Sequence, residues 1–366
     1  MQVFLVTYEI SAATEAEAVE WAAAVAREQT IECVDEGVPH DFIFEEVLGK
    51  VRAVVPAGPG VFRAEVAYNA EVAGGALPQL LNVIYGNTSL HVAVKLVGLE
   101  VPDGMAEAVP GPRFGLAGLR DMVGRPGPLL CAAVKPIGLA PEEMAEIAYR
   151  CALGGADMIK DDHGLADQLW APFRPRVEAM AAAVARANRE TGGRTLYFPS
   201  LNCGLDRFAD YARFAAEAGA GGYLVMPGLT GWDSVRMLAA GPHALPVMVH
   251  PAALGPYTNA GTNGMAHEML YAAYPRLAGA DISIYPSHGG RYGFSRGLCL
   301  SVAEACRGPG VMRPILPAPG GGLRLETAGA QYGLYGDDAV YLFGGGAMRY
   351  RDRIAEGIGA LKAALA

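Results

Sequence analysis

Residues 154–164 read GGADMIKDDHG, from Gly154 to Gly164. An amphipathic segment, Pro141–Leu153, leads into them, and the Gly-Gly pair stops it. Ala156-Asp157-Met158-Ile159 is short and apolar enough to predict a buried strand. Directly behind it stand Lys160, Asp161, Asp162 and His163. A buried strand ending this way brings three kinds of ionisable group to one mouth, and in a parallel α/β protein that mouth is where chemistry sits. Taken alone, KDDH is equally an ordinary strand-to-loop transition with solvated charges, because short motifs recur by chance. The rest of the chain decides between the two.

Outward from this stretch the pattern repeats. Strand candidates follow from Pro128 onward at 129–135, 157–162, 195–203, 222–227, 246–251, 281–287, 313–318 and 338–343. Helical patterns lie between them, among them 141–153, 175–191, 206–218, 264–277 and 294–306. Segments 231–240 and 323–335 fill the remaining gaps, and 350–366 closes the series. Eight β-α units over about 240 residues have the size of a (β/α)8 TIM barrel. A doubly wound open sheet competes, but it rarely runs so many units without an antiparallel break, and no GxGxxG follows the first strand.

In a barrel the C-terminal ends of the strands converge. Strand one ends in Lys135-Pro136, strand two in Lys160, Asp162 and His163, and strand three in Ser200 and Asn202. His250 ends strand five, and Ser287-His288 ends strand six with Gly289-Gly290-Arg291 behind it. Gly320-Gly321-Gly322 ends strand seven and Gly344-Gly345-Gly346 strand eight. A lone strand-end histidine is usually a hydrogen-bonded core residue, and one Gly triplet merely turns a chain. Two triplets after strands seven and eight offer bare backbone N–H groups where such barrels cradle phosphate.

The first hundred residues behave differently. They read as strand 3–10, helix 14–27 with Thr14 as N-cap and Glu17 in the capping-box position, strands 42–55 and 61–72, helix 77–85 and strand 91–101. The order β-α-β-β-α-β is that of a ferredoxin-like α+β domain. The Pro- and Gly-rich segment 102–115 is the expected linker, which gives an N-terminal domain at 1–115 and a barrel at 116–366. A net charge of −9 with no basic run argues against a nucleic-acid surface. Six cysteines without CxxC spacing suit reduced thiols. No apolar run reaches the ~18 residues of a bilayer span, and Met1–Ile10 lacks a basic leader; the expected setting is cytoplasmic, without membrane partners.

These residues together resemble the RuBisCO-like proteins, relatives of the large subunit of ribulose-bisphosphate carboxylase. The likeness runs over nearly the whole chain. It is carried by Ala133-Val134-Lys135-Pro136, by Gly154–Asp162, and by Gly320-Gly321 and Gly344-Gly345-Gly346 within GDDAVYLFGGG. The resemblance implies proton abstraction alpha to a sugar ketone and an enediolate stabilised on Mg2+. It implies Lys160 as a lysine carbamylated by CO2, Asp162 as a carboxylate ligand with His163 at the third ligand position, and Lys135 as acid/base. It further implies His250 lining the site, Gly320, Gly321, Gly344 and Gly345 with Ser287 and Arg291 binding substrate and its phosphate, and a homodimer, or multimer of dimers, with shared sites. Glu28 and Asn87 would then serve the neighbouring subunit's barrel.

The departures narrow the activity. His163 stands where the family has a carboxylate, although Mg2+ prefers oxygen. Ile137 replaces the second lysine of the family's Lys-Pro-Lys, Pro251 a phosphate-clamping arginine and Leu254 a histidine, while Arg291 stands near the position of the mobile lysine. CO2 fixation on a bisphosphate is not expected. Pro251, Leu254 and Met226 suggest an apolar end opposite the phosphate. The expected reaction is enolising isomerisation of a monophosphorylated sugar, as in 5-methylthioribulose-1-phosphate isomerases of sulfur salvage. The alternatives are a decarboxylase or hydrolase of a branched 3-oxo sugar acid phosphate, and a diketo-methylthiopentyl-phosphate enolase. That last branch carries a lysine near the position of Asn87, so this chain fits it poorly.

Overall fold

The computed structural model describes residues 2–105, 109–308 and 312–365, with the side chains of residues 346–348 and 351 left aside. Of the expected linker, residues 106–108 lie outside the described residues. The N-terminal part forms β1 (Val3–Ser11), the helix Glu15–Glu28, β2 (Lys50–Gly58), β3 (Val61–Asn69), the helix Leu77–Tyr85 and β4 (Val94–Glu100). Phe4, Val6, Tyr8 and Ile10 alternate inward along β1 and are buried, as period-two patterning requires. β1 runs antiparallel to both β3 and β4, and β3 antiparallel to β2. Thr14 caps the first helix by accepting from the Glu17 backbone N–H at 3.2 Å, and the Glu17 carboxylate reaches back to Ala13 N at 2.8 Å.

Two expectations fail here. The segment 42–55 is not one strand: Ile43–Val47 makes a π-helical turn and the strand starts at Lys50. The adjacent charges Glu45 and Glu46 break the alternation a strand needs, so the turn leaves both at the surface. The segment 264–277 is not one helix. Gly264–Met265 forms β10, which pairs parallel with β4. A π-helical turn, Met269–Ala273, and the short helix Tyr274–Ala278 follow. Gly264 has a φ of 83°, left-handed backbone that favours glycine, and Pro275 brings no N–H to the helical ladder.

The remaining strands are β5 (Leu129–Ala133), β6 (Met158–Lys160), β7 (Leu196–Phe198), β8 (Tyr223–Val225), β9 (Val247–Val249), β11 (Ile282–Pro286), β12 (Leu316–Gly320) and β13 (Val340–Phe343). They form one eight-stranded sheet in the order β7-β6-β5-β13-β12-β11-β9-β8. Its ladders are all parallel. The ring closes through the parallel bridge between Ser200 and Leu224, with Leu201 N bonded to Leu224 O at 2.9 Å. Leu129, Met158, Phe198, Leu224, Met248, Ile282, Leu316 and Val340 fill the interior. It is a packed core, so ligands are confined to the rim. No helix among the described residues is long and apolar enough to cross a membrane.

Asp281 ties the entry of the barrel together. Its Oδ1 accepts from Phe114 N at 2.9 Å and Gly115 N at 2.7 Å, and its Oδ2 from Val247 N at 3.0 Å. Burial pushes this carboxyl up to about 6 against the pull of those three donors. Replacing Asp281 by Ala orphans two buried N–H groups and the half-buried one of Phe114, at ~1–3 kcal/mol for each buried group, so a loss of about 2 kcal/mol or more is expected in urea unfolding. A loss below about 1 kcal/mol would mean that the tie contributes little.

Candidate active site

Strand parity splits the two aspartates after Ile159. Asp161 turns into the protein, where its Oδ1 accepts from Tyr197 Oη at 2.8 Å and its Oδ2 from Arg176 Nε at 3.1 Å and Ser200 N at 3.0 Å. Arg176 is fully buried, and its other nitrogens donate to Ala171 O at 2.7 Å and Ala166 O at 2.9 Å. One guanidinium therefore fixes both the strand end and the loop beyond it.

Lys160 and Asp162 take the other parity. Lys160 is 3% exposed and donates to Asp161 O at 3.0 Å. Burial, with help from Lys135, holds it down to about 8, against the opposing influence of Cys131 and Asp161. Asp162 Oδ2 forms an ion pair with Lys135 Nζ. Its Oδ1 accepts from Gly164 N at 2.9 Å and stands 3.2 Å from His163 Nδ1. Burial and then the Arg291 charge hold the Lys135 ammonium below the usual lysine range, although the Asp162 contact pulls the other way.

His163 and His250 stack, with centroids 4.4 Å apart and planes 9° from parallel. Burial pushes His163 down, aided by Lys160, Lys135 and Arg291. It holds His250 down to about 2, with Lys160, His163 and Lys135 adding to the effect. His250 Nδ1 lies 3.2 Å from Ala252 N, accepting its hydrogen, which leaves the ring proton on Nε2.

A cavity of about 590 Å³ opens here, lined by Lys135, Asp162, His163 and Gly345 and floored by Pro136, Ile137 and Gly164. A Cβ on Gly344 would lie 3.9 Å from Lys135 Cε, and one on Gly345 3.9 Å from Lys135 Cδ. Ser287 N donates to Gly320 O at 2.9 Å and Ser287 Oγ to Gly321 O at 2.5 Å, joining the ends of β11 and β12. Gly320 is buried within β12, where a Cβ would meet Leu342 Cδ2 at 3.1 Å and Ile284 Cγ2 at 3.3 Å, so a side chain there requires both neighbours to give way by a few tenths of an ångström. Gly321 has a φ of 89° in open space. Arg291 is exposed, with its guanidinium 4.9 Å from the Tyr292 ring centroid.

Glu28 and Asn87 are joined, Asn87 Nδ2 donating to Glu28 Oε1 at 3.0 Å, and neither lines this cavity. Gln29, which the sequence did not single out, places them. Its Nε2 donates to Asn82 O and Val83 O, and its Oε1 accepts from Thr88 N. Arg176 was missed as well, because its partner lies 15 residues away with no local pattern to mark it. The apolar end expected from Pro251, Leu254 and Met226 is corrected for the last two. Met226 packs in the barrel core and Leu254 is buried in the outer layer, so Pro136 and Ile137 supply the cavity's apolar surface instead.

Among the described residues no three His, Cys, Asp or Glu side chains converge as a ready-made ion cage. A buried Lys160 ammonium would repel a cation. Its depressed pKa, however, favours the neutral amine that reacts with CO2, and a carbamate there would join Asp162 and His163 as two oxygen donors and one nitrogen. That set fits a divalent cation.

The family model described as "Ribulose bisphosphate carboxylase large chain, catalytic domain" matches residues 115–290. A 5-methylthioribulose-1-phosphate isomerase of Rhodospirillum rubrum is 37% identical over 363 residues, 98% of this chain and 95% of that protein. A 2,3-diketo-5-methylthiopentyl-1-phosphate enolase of Bacillus pumilus is 34% identical over 296 residues, 80% of this chain and 73% of that protein. The crystal structure of a rubisco-like protein from Rhodopseudomonas palustris superposes with a TM-score of 0.87 at 34% identity, covering 100% of this chain and 98% of that one.

The His250 environment predicts a neutral imidazole with its proton on Nε2 throughout the working pH range. ¹⁵N NMR of the labelled histidines between pH 5.5 and 8.5 checks it. Shifts that stay constant and match the Nε2–H tautomer are expected; an imidazolium near pH 6 would contradict the geometry.

Proposed function

The chain belongs to the ribulose bisphosphate carboxylase large-chain family, and from that premise we propose that it is an enolising isomerase of a monophosphorylated ketose. The substrate class is that of the Rhodospirillum rubrum relative, a 5-methylthioribulose 1-phosphate. The observation that carries this reading is the Lys135–Asp162 pair, set in one cavity between the glycines after β13 and an apolar floor.

The backbone of Gly344 and Gly345, with Gly321, receives the phosphate, because residues without Cβ allow close approach of N–H groups. Ser287 holds the Gly320–Gly321 turn in place. Lys135 and Arg291 bring positive charge to the mouth that the Asp162 carboxylate offsets only in part. An anionic substrate is drawn there.

Lys135 Nζ, once deprotonated, removes the C–H proton alpha to the carbonyl and returns it to the former carbonyl carbon, while the alpha hydroxyl's proton passes to the former carbonyl oxygen, so the isomerisation proceeds without net redox change. Asp162 orients that nitrogen and takes up positive charge as it is protonated. The Nε2–H of His250 offers a hydrogen bond to an oxygen of the enediolate. A divalent cation such as Mg2+, held by Asp162, His163 and a Lys160 carbamate, would supply electrostatic stabilisation of negative oxygen when bound. Glu28 and Asn87, held together away from their own cavity lining, would complete the site of a second subunit in a homodimer.

The enolase reading, drawn from the Bacillus pumilus relative, shares the proton abstraction. The 37% relative covering 95% of its own length favours the isomerase.

Incubation with 5-methylthioribulose 1-phosphate, followed by ³¹P NMR, tests the assignment: a new ketose or aldose phosphate is expected without inorganic phosphate release. Lys135→Ala and Lys135→Arg should each lose at least about 100-fold in kcat with KM little changed, because a guanidinium does not deprotonate. In the native enzyme kcat/KM should rise with pH through a Lys135 pKa lying below the usual ~10.4. An arginine variant near native turnover would remove Lys135 as the proton carrier.

A further inference from the structure

The two imidazoles at the mouth lie face to face, 4.4 Å apart and 9° from parallel, but their nitrogens are engaged differently. His250 Nδ1 accepts from Ala252 N at 3.2 Å, so its other nitrogen carries hydrogen and has no lone pair to give. His250 is also not among the residues that line the cavity, whereas His163 is. His163 Nδ1 stands 3.2 Å from Asp162 Oδ1, and a carboxylate oxygen so close favours the tautomer with hydrogen on Nδ1. The lone pair then sits on Nε2, across the ring from the carboxylate. No described residue bonds that nitrogen.

The ring is held as well as unpartnered. Asp162 is itself fixed, its Oδ1 by Gly164 N at 2.9 Å and its Oδ2 by Lys135. The His250 ring lies flat against the other face of the contact. An imidazole that has a carboxylate beside one nitrogen and nothing on the other has the arrangement of a metal-ligating histidine and its orienting partner. Among the described residues it is the one nitrogen donor that the cavity offers, beside the oxygens of Asp162.

The kind of donor decides the kind of cation. Mg2+ gives up its waters reluctantly and takes oxygen in their place, so an imidazole repays little of that cost. Mn2+, Co2+ and Zn2+ accept imidazole readily, with affinity for a mixed nitrogen and oxygen site rising along the first-row series. We propose that His163 ligates the divalent cation of this site through Nε2, and that the site therefore selects a first-row transition cation such as Mn2+ or Co2+ over Mg2+. The assignment rests on the reading that a divalent cation is held here, and it adds the class of that cation and the atom that selects it.

Isothermal titration of MgCl2, MnCl2 and CoCl2 into the full chain in CO2-equilibrated buffer, repeated for His163→Glu and His163→Gln, measures the preference. Both variants put oxygen in place of nitrogen, one charged and one neutral, so a change common to both reports the donor atom and not the charge. The ratio of Co2+ to Mg2+ affinity should fall at least about tenfold in each. Electron spin-echo modulation of bound Mn2+ reads the contact itself. Coupling to an imidazole nitrogen is expected in native protein and should vanish in both variants. The native measurement needs no variant, so a substitution that unfolds the chain does not remove the test. Mn2+ bound without nitrogen coupling, coupling that persists in the variants, or an unchanged ratio overturns the proposal and leaves the divalent site standing. If none of the three cations binds native protein, the divalent site falls and the preference with it.

Discussion

The buried pair of Asp161 and Arg176 sets the orientation on which the candidate site depends. Strand geometry sends successive side chains to opposite faces, so anchoring Asp161 inward commits Lys160 and Asp162 to the mouth. A fully buried ion pair is a weak source of net stability, but removing one partner leaves an uncompensated charge, at a cost of ~3–5 kcal/mol. The same guanidinium holds two carbonyls of the following loop. The end of β6 and the approach to the next helix are therefore one unit, and a shift of the strand by a residue would turn Asp161 toward the mouth and Asp162 away from it.

Around that unit the charges are unbalanced in one direction. Asp162 pairs with Lys135, the charge of Arg291 reaches both Lys135 and His163, and each cation lowers the proton affinity of its neighbours. Lys135 and Lys160 are both depressed chiefly by burial, and the packed barrel interior beneath them is what enforces it. On the proposed function, proton transfer at Lys135 and carbamylation of Lys160 would both need a neutral amine. One cause, desolvation over a filled core, serves both requirements. The stacked imidazoles of His163 and His250 stay neutral for the same reason, so they add hydrogen-bonding capacity without adding charge.

Much of this was legible from the chain alone. The eight strand positions follow from apolar runs bounded by Gly, Pro and Asp, because each strand is buried on both faces. The convergence of Lys135, Asp162, His163 and His250 follows from their common place at strand ends. What was not legible depends on distance in sequence. β10 is two residues long and exists only because β4 offers it a partner. The role of Arg176 is visible only once the loop folds back. Ile137 reads in sequence merely as a missing lysine, whereas in the fold it is the apolar surface of the cavity. Met226 and Leu254 mislead in the opposite sense, since apolar residues near strand ends pack inward more readily than they line a pocket.

The central claim is that the mouth removes and returns a proton on a carbon alpha to a ketone. Turnover of 5-methylthioribulose 1-phosphate in D2O, followed by ¹H and ²H NMR, measures that event itself. The account predicts solvent deuterium in recovered substrate and in product, on carbon next to the carbonyl, with no CO2 evolved. Product formed with no solvent deuterium at any carbon, or CO2 released in step with turnover, would contradict it.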